Sequence, residues 1–365
     1  MFTLIDKYII KKYLGTLGFM LLLLSLIVVV IDVQSKSPRI EGNGFSVGYF
    51  LLNFYPYWMI YLIITFMSIL VFISVIYFTS RMANNTEIVA IISSGASFHR
   101  FARPYFIASG FIAILSLMTN HFVLPWANIQ KNKLEVYTMG EASKEKILGN
   151  VEIATQLTPT TYIFISNYNR KEKRGSSFMY QKFDKKRKLI EETVANEIFW
   201  DTKKSKFTIT GFLERTIDKN GQVKLSNGET KDLSFGYPPE ELFPDEYLGQ
   251  TKTTPKLLKL IDQEKRKGNK NLNYFLNELH LRTSMPVSII ILTILALSLS
   301  SQKKRGGLGI NLALGIALAF VFVFSFEVLK VVSQNNGLPP LIAMWLPNLF
   351  FGPLALFLYL KRANQ

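Results

Sequence analysis

The sequence predicts an α-helical membrane protein of six transmembrane helices, with an inserted all-β, jelly-roll-like domain between the third and fourth. Three observations carry this. Hydrophobic residues make up 49% of the 365, too many for an ordinary soluble chain in which 19% are charged. They gather in six windows almost without ionised side chains, each about as long as the roughly 20 residues that cross a hydrocarbon core at 1.5 Å per residue. Between the third and fourth windows the period changes to an alternation of two, broken by turn signals.

The windows run Leu14 to Ile31, Val47 to Ser80, Pro104 to Ile129, Thr283 to Gln302, Gly306 to Phe326 and Val331 to Leu360. Lys7, Lys11 and Lys12 precede the first as they would in a signal peptide. Its apolar run is too long for such a core, however, and "DVQSKSPRI" is a poor small-residue cleavage site, so it is expected to stay as an anchor. The insert reads as strands. "TTYIFISNYN", "SSFMYQKFD" and "SKFTITGFLERTI" alternate apolar and polar residues, and Asn220-Gly221 in "DKNGQVKL" is a hairpin signal. From Gly236 a Pro-rich connector, "GYPPEELFPDEY", leads into "TPKLLKLIDQEKRKGNKNLNYFLNELHLR", which reads as helices entering the fourth span. The expected boundaries are 1–130 for three helices with a short amphipathic helix near 84–97, 131–275 for the β domain and its helical connector, and 276–365 for the last three helices.

The net charge of +16 suggests a nucleic-acid partner until its location is traced. Lys131 to Lys270 holds 27 Lys/Arg against 20 Asp/Glu, without a long basic stripe. The remainder sits at helix ends. In the short loops Lys7, Lys11, Lys12, Arg81, Arg100, Arg103, Lys303, Lys304, Arg305, Lys361 and Arg362 fall on one side, and Lys36 and Arg39 on the other. The positive-inside rule places the first set in the cytoplasm, with both termini, and the insert outside.

Signals for enzyme chemistry are weak. His99, His121 and His280 lack metal-site spacing, and there is no cysteine for a thiolate site or a disulfide. "GFSVG", Gly44 to Gly48, matches the nucleophile elbow in letters but lacks its strand and helix context. No phosphate-binding P-loop occurs, and the glycines of "KKRGGLG" suit a tight turn between spans. No catalytic residue, metal or cofactor is therefore expected. The ionised groups nearest the membrane are Asp32, Glu278 with Arg282, and Glu327 with Lys330; the last two pairs have helical spacing and can neutralise themselves, or else mark a pathway.

The stretch "SRMANNTEIVAIISSGASFHRFARP" lies between the second and third windows. Asn84, Asn85 and Thr86 are helix-capping types, Glu87 falls in the first turn where a carboxylate favours the helix dipole, and Ile88, Val89, Ile91 and Ile92 form one apolar face. A helix lying in the headgroup layer, with Glu87 as a dipole partner only, satisfies this local pattern.

A wider pattern gives the helix another role. "LIDKYIIKKYLGTL", "TEIVAIISSG", "NELHLRTSMPVS" and "NNGLPPLIAMWLPNLFFG" together resemble the LptF/LptG permease family of the lipopolysaccharide export machine, over both membrane halves and the size of the insert. "DKYIIKKYLGT" and "WLPN" are more similar to the G-type subunit. The resemblance implies an ABC-type export complex in the bacterial inner membrane. Two six-span permeases form a cavity that takes lipopolysaccharide from the membrane, and a dimeric cytoplasmic ATPase drives it. The periplasmic β domain passes the lipid to β-domain bridge proteins. It also implies that the short helix is the coupling helix, with Glu87 and its neighbours Thr86, Ile88, Ile91 and Gly95 meeting the ATPase, and that Lys36 and Arg39 form a basic rim for lipid phosphates. The chain departs from the family in having Thr86-Glu87-Ile88 where "S-E-L" is common, and Val29 where some members carry a basic residue in the first helix. The competing readings are an FtsX-like mechanotransmission protein, which works with an ATPase but moves no lipid and has fewer spans, and a membrane-anchored enzyme.

Overall fold

The computed structural model describes residues 3–139, 150–218, 221–242, 248–267, 272–302 and 307–364. Among these, six helices are long and apolar enough to cross a membrane. The order is α1 (Leu4–Gly42), a short α2 (Val47–Asn53), α3 (Tyr55–Asn84), α4 (Glu87–Ser93), α5 (Phe98–Met118), a five-residue π turn (Thr119–Val123), α6 (Leu124–Glu135), six strands, α7 (Thr254–Lys267), α8 (Leu272–Ser300), α9 (Gly307–Gln334) and α10 (Pro340–Ala363). Single helical turns at Pro239–Leu242 and Leu248–Thr251 precede α7. The spans are α1, α3, α5 continued through the π turn and α6, α8, α9 and α10. The Lys303–Arg305 loop lies outside the described residues.

Contacts divide the chain into two units. One comprises 1–37, 46–131 and 273–365; the other comprises 38–45 and 132–272. In the first, a core of aromatic and aliphatic side chains, including Tyr13, Phe72, Phe101, Tyr105 and Phe322, is sealed between the helices. Lipid supplies no hydrophobic force between helices, so small residues and polar cross-links must hold them. Gly315 of α9 is one such small residue: a Cβ there would stand 2.4 Å from Ile76 Cδ1 of α3. The cross-links converge on α8. Tyr13 meets Thr293 Oγ1 at 2.9 Å, Ser68 Oγ donates to the Met285 carbonyl, Ser333 Oγ donates to Asn277 Oδ1, and Asn348 Nδ2 donates to the Ser284 carbonyl while Ser288 Oγ donates to Asn348 Oδ1. The fourth span is thereby tied to the first, second, fifth and sixth.

The second unit holds one six-stranded antiparallel sheet: β1 (Asn150–Thr158), β2 (Thr161–Asn169), β3 (Arg174–Phe183), β4 (Leu189–Asp201), β5 (Lys206–Ile217) and β6 (Val223–Leu233), paired in chain order. The expected all-β insert is realised as one antiparallel sheet paired in sequential order. A row of facing residues, Ile153, Ile165, Phe178, Ala195, Phe212 and Gly228, crosses all six strands, and Ile153, Ile165, Phe178 and Ala195 of this row are buried in the sheet's apolar core. Asn220 lies outside the described residues, but Gly221, at φ +80, donates its N–H to the Asp218 carbonyl and closes the β5–β6 hairpin. Gly211, inside β5, has φ +60, a backbone conformation that favours glycine, and a Cβ there would displace the Asn196 side-chain amide, which stands 2.4 Å away. Strand β6 is an edge and exposed along most of its length, as an unpaired ladder of backbone donors and acceptors.

Two expected bounds shift. The fifth span extends to Gln334, so Glu327 and Lys330 lie inside its last turns, and the sixth begins at Pro340 after a turn in which Asn336 takes φ +60. Glu327 and Lys330 interrupt the apolar run before the fifth helix ends, so a window bounded by charge stops short of Gln334 and assigns Val331 and Val332 to the next span.

Candidate functional site

The second and third spans are joined by a helix of only two turns, α4, shorter than 84–97. Its two ends are set by left-handed residues. Thr86 takes φ +61 and Gly95 φ +90. Glycine adopts this region freely, but for a β-branched threonine it costs on the order of 1–3 kcal/mol and persists only where surrounding contacts impose it. Thr86 sits at the N-cap position but makes no capping bond; its hydroxyl donates to the Asn85 carbonyl at 2.6 Å. Ser97 then caps α5 by accepting from the Arg100 N–H at 3.2 Å. Helix α4 is thus a rigid bar between two sharp bends.

Its faces differ. Ile88 is buried in the bundle core, Ile91 and Ile92 pack against that core, and Val89 and Ala90 are exposed. Ile88 therefore anchors the bar to its own bundle, and the outward surface comes from Val89, Ala90 and the end of the helix. Glu87 is held by α1: Tyr8 Oη donates to Oε2 at 2.7 Å, Lys12 Nζ stands 3.2 Å from the same oxygen, and Asn85 Nδ2 donates to Oε1 at 3.2 Å. Lys12 also lies over the Tyr8 ring at 4.4 Å. Partial burial alone would raise the Glu87 pKa, but the donated bonds from Tyr8, Asn85 and Lys12 outweigh it and hold the carboxyl below the usual range. It is ionised at neutral pH. Because the folded value is depressed, the stabilisation exists above the ordinary carboxylate pKa and is lost as pH falls through the lowered one.

One turn earlier on α1, Asp6 is only 1% exposed and receives a two-pronged bond from Arg100 of α5, Nη1 to Oδ1 at 2.6 Å and Nη2 to Oδ2 at 2.8 Å; Arg100 Nη2 also donates to Thr3 Oγ1. This fork pins the starts of the first and third spans at one level. Local sequence offers Lys12 only as a loop charge and gives no role to Tyr8, Asp6 or Thr3. The available signal was that Asp6 and Glu87 are isolated acids among many cations at one membrane end, where a carboxylate leaving water needs a partner.

At the far end of α1, Lys36 Nζ pairs with Asp32 Oδ1 at 2.9 Å and lies over Trp58 and Phe54, at 5.4 and 5.8 Å from their ring centres, while Tyr55 Oη donates to Asp32 Oδ2. Arg39 donates to the Thr138 carbonyl at 3.4 Å. The two rim cations are thus differently engaged. Arg282, with its side chain 2% exposed, pairs with Glu278 at 3.0 Å, and Lys330 stands 3.9 Å from Glu327, both within one helix as their spacing predicts. No cluster of metal-ligating residues occurs among the described residues.

The model of one protein family, "Lipopolysaccharide export system permease LptF/LptG", matches residues 7–361, essentially the whole chain. A search among curated proteins finds no match.

Proposed function

Because this chain belongs to the LptF/LptG family of lipopolysaccharide export permeases, we propose that it forms half of an ABC-type exporter with a second six-span permease, driven by a separate dimeric ATPase, and that on the "DKYIIKKYLGT" and "WLPN" segments it is the G-type half. The observation that carries the coupling is the Glu87 cluster. A push on the two-turn bar α4 reaches the second and third spans through the bends at Thr86 and Gly95, and the first span through Tyr8 and Lys12. A bar tied to three spans transmits displacement to the bundle, whereas a helix lying loosely in the headgroup layer would dissipate it. Thr86, Ile88, Ile91 and Gly95 set the bar's position, and the ATPase meets its exposed side. The exposed edge β6 suits strand-by-strand addition of a bridge protein's sheet, which would carry the lipid onward.

The full chain, purified in mild detergent, is expected to bring down a second six-span protein and a soluble ATPase, and the reconstituted set to release lipopolysaccharide from vesicles only with ATP. Isolation with an ATPase but without lipid release would favour the mechanotransmission reading. The short-loop charges orient both termini inside and the sheet in the periplasm. As the chain has no cysteine, single cysteines at Lys203 and Lys361 are expected to label from opposite sides of the membrane; labelling from one side would overturn this orientation.

We assign Lys36, with a smaller part for Arg39, to the phosphates of the entering lipid. Asp32 already neutralises Lys36, so a phosphate must compete with that carboxylate. Lys36→Glu is expected to lower lipopolysaccharide photo-crosslinking about ten-fold, the equivalent of a charge-assisted contact at a partly desolvated rim. Asp32→Asn, which frees the ammonium, is expected to raise it. Unchanged crosslinking in the Lys36→Glu/Arg39→Glu chain would remove both residues from the pathway.

A further inference from the structure

The cations at the starts of the first and third spans fall into two classes. Lys12 and Arg100 are taken by Glu87 and Asp6. Lys7, Lys11 and Arg103 are exposed, and no partner for their side chains occurs among the described residues. Lys7 and Lys11, one turn apart on α1, line a groove of about 450 Å³ between the first and third spans, whose other walls are Ile10, Leu14, Ile107, Ala108 and Phe111. Arg103 lies one turn before Ile107 on the same face of α5. The Arg100–Asp6 fork holds the two helix starts at one level, so the three cations crown one end of an apolar trough.

We propose that this groove is a binding site for one anionic glycerophospholipid, an acyl chain lying along Ile10, Leu14, Ile107 and Phe111 and the phosphate meeting Lys7, Lys11 and Arg103. The trough selects an amphiphile, and the unneutralised cations select a negative head. The occupant is a phospholipid and not the lipopolysaccharide of the export pathway because of position: Lys7 and Lys36 are 29 residues apart on one continuous helix, about 44 Å along its axis. That length spans a bilayer with both headgroup layers, about 40–45 Å, so the two basic sites lie in opposite leaflets. A docked protein helix is disfavoured for the same reason that favours lipid: the walls run directly into the exposed apolar surface of the first span, including Phe19 and Leu22. The site is independent of the coupling reading.

Native mass spectrometry of the full chain, after exposure to mixed micelles containing phosphatidylglycerol, phosphatidylcholine and lipopolysaccharide in equal amounts, tests it. Phosphatidylglycerol adducts are expected to exceed phosphatidylcholine adducts ten-fold or more, since each basic residue near an anionic head contributes about a five-fold preference. Lys7→Gln/Lys11→Gln is expected to lower them by roughly an order of magnitude, and Lys7→Arg/Lys11→Arg to retain them. Ile107→Trp fills the trough with every cation in place and is also expected to abolish the adduct, which decides the matter if the glutamine variant fails to fold. Equal retention of phosphatidylcholine, lipopolysaccharide adducts lost with Ile107→Trp, or phosphatidylglycerol adducts untouched by it would each overturn the site.

Discussion

Replacing Glu87 by alanine is expected to reduce ATP-driven lipopolysaccharide release by a factor of ten or more while leaving the helix bundle intact. The two effects separate because of where the carboxylate lies. Its bonds to Tyr8, Lys12 and Asn85 are partly exposed, and an exposed ion pair contributes about 0.2–1 kcal/mol. Losing them changes stability little, well within what the buried core around Tyr13 and Tyr105 supports. The bonds from Tyr8 and Lys12 are the polar ties between α4 and the first span among the described residues, so a bar without them passes less of its tilt to that span. Tyr8→Phe and Lys12→Met leave Glu87 itself available to an ATPase. If the tie to α1 carries force, each lowers release several-fold; if Glu87 acts on the ATPase alone, both leave release unchanged while Glu87→Ala abolishes it. Normal assembly, hydrolysis and release in Glu87→Ala would leave Glu87 as a helix-dipole partner only. The pH dependence follows from the depressed carboxyl: the tie is at full strength at neutral pH and weakens only on acidification below the ordinary carboxylate range.

Arg100→Met is expected to lower the stability of the bundle more than any other single neutral change at the fork, because it strips the partner from the less exposed member of the pair. Asp6 has 1% of its side chain exposed and Arg100 33%, so the pair is asymmetric. Removing the arginine strands a carboxylate away from water, whereas removing the carboxylate leaves an arginine that can turn toward solvent; Asp6→Asn is therefore expected to cost less. Arg100→Lys keeps the charge but not the two-pronged geometry and should fall between them. The double variant Asp6→Asn/Arg100→Met leaves no charge at the fork and is expected to recover much of the loss, as well-packed neutral replacements of buried pairs do. Thermal unfolding in detergent, followed by tryptophan fluorescence, measures all four. Equal and small losses in the two single neutral variants would mean that water reaches Asp6.

Lipopolysaccharide release in the same variants distinguishes fold from function. The fork fixes the starts of the first and third spans, and the Glu87 cluster joins the first span to the bar between the second and third. Weakening the fork lets the spans shift at rest; weakening the cluster uncouples them only when the bar is pushed.

Six spans, an inserted β domain and the charge asymmetry of the loops were legible in the sequence because each depends on local composition. Twenty consecutive apolar residues cannot be satisfied in water wherever they fall in a chain, and the period of two in "TTYIFISNYN" and "SKFTITGFLERTI" is a property of those segments alone. The ion pairs Glu278–Arg282 and Glu327–Lys330 were legible for the same reason, being one helical turn long. Strand β4 was not. "LIEETVANEIFWD" carries three glutamates and two helix-favouring turns of spacing, and it becomes a strand because β3 and β5 pair with it on both sides and β3 offers Arg174 to Glu197, Lys182 to Glu191 and Gln181 to Glu192. Nor could local sequence show that Asp6 meets Arg100, 94 residues away, that Lys12 meets Glu87 across 75, or that Asn348 closes on the fourth span. A capping pattern gave Glu87 to its own helix, since that is all a neighbouring sequence can offer. Where its charge goes is decided by which helix start packs beside it, and that follows from the burial of Tyr13, Phe78, Tyr105 and Ile88 in one core. Local periodicity thus determined what each segment is, and the long-range packing that brings helix ends together decided which charges are spent on the fold and which, like those of Lys7 and Lys11, are left for another molecule.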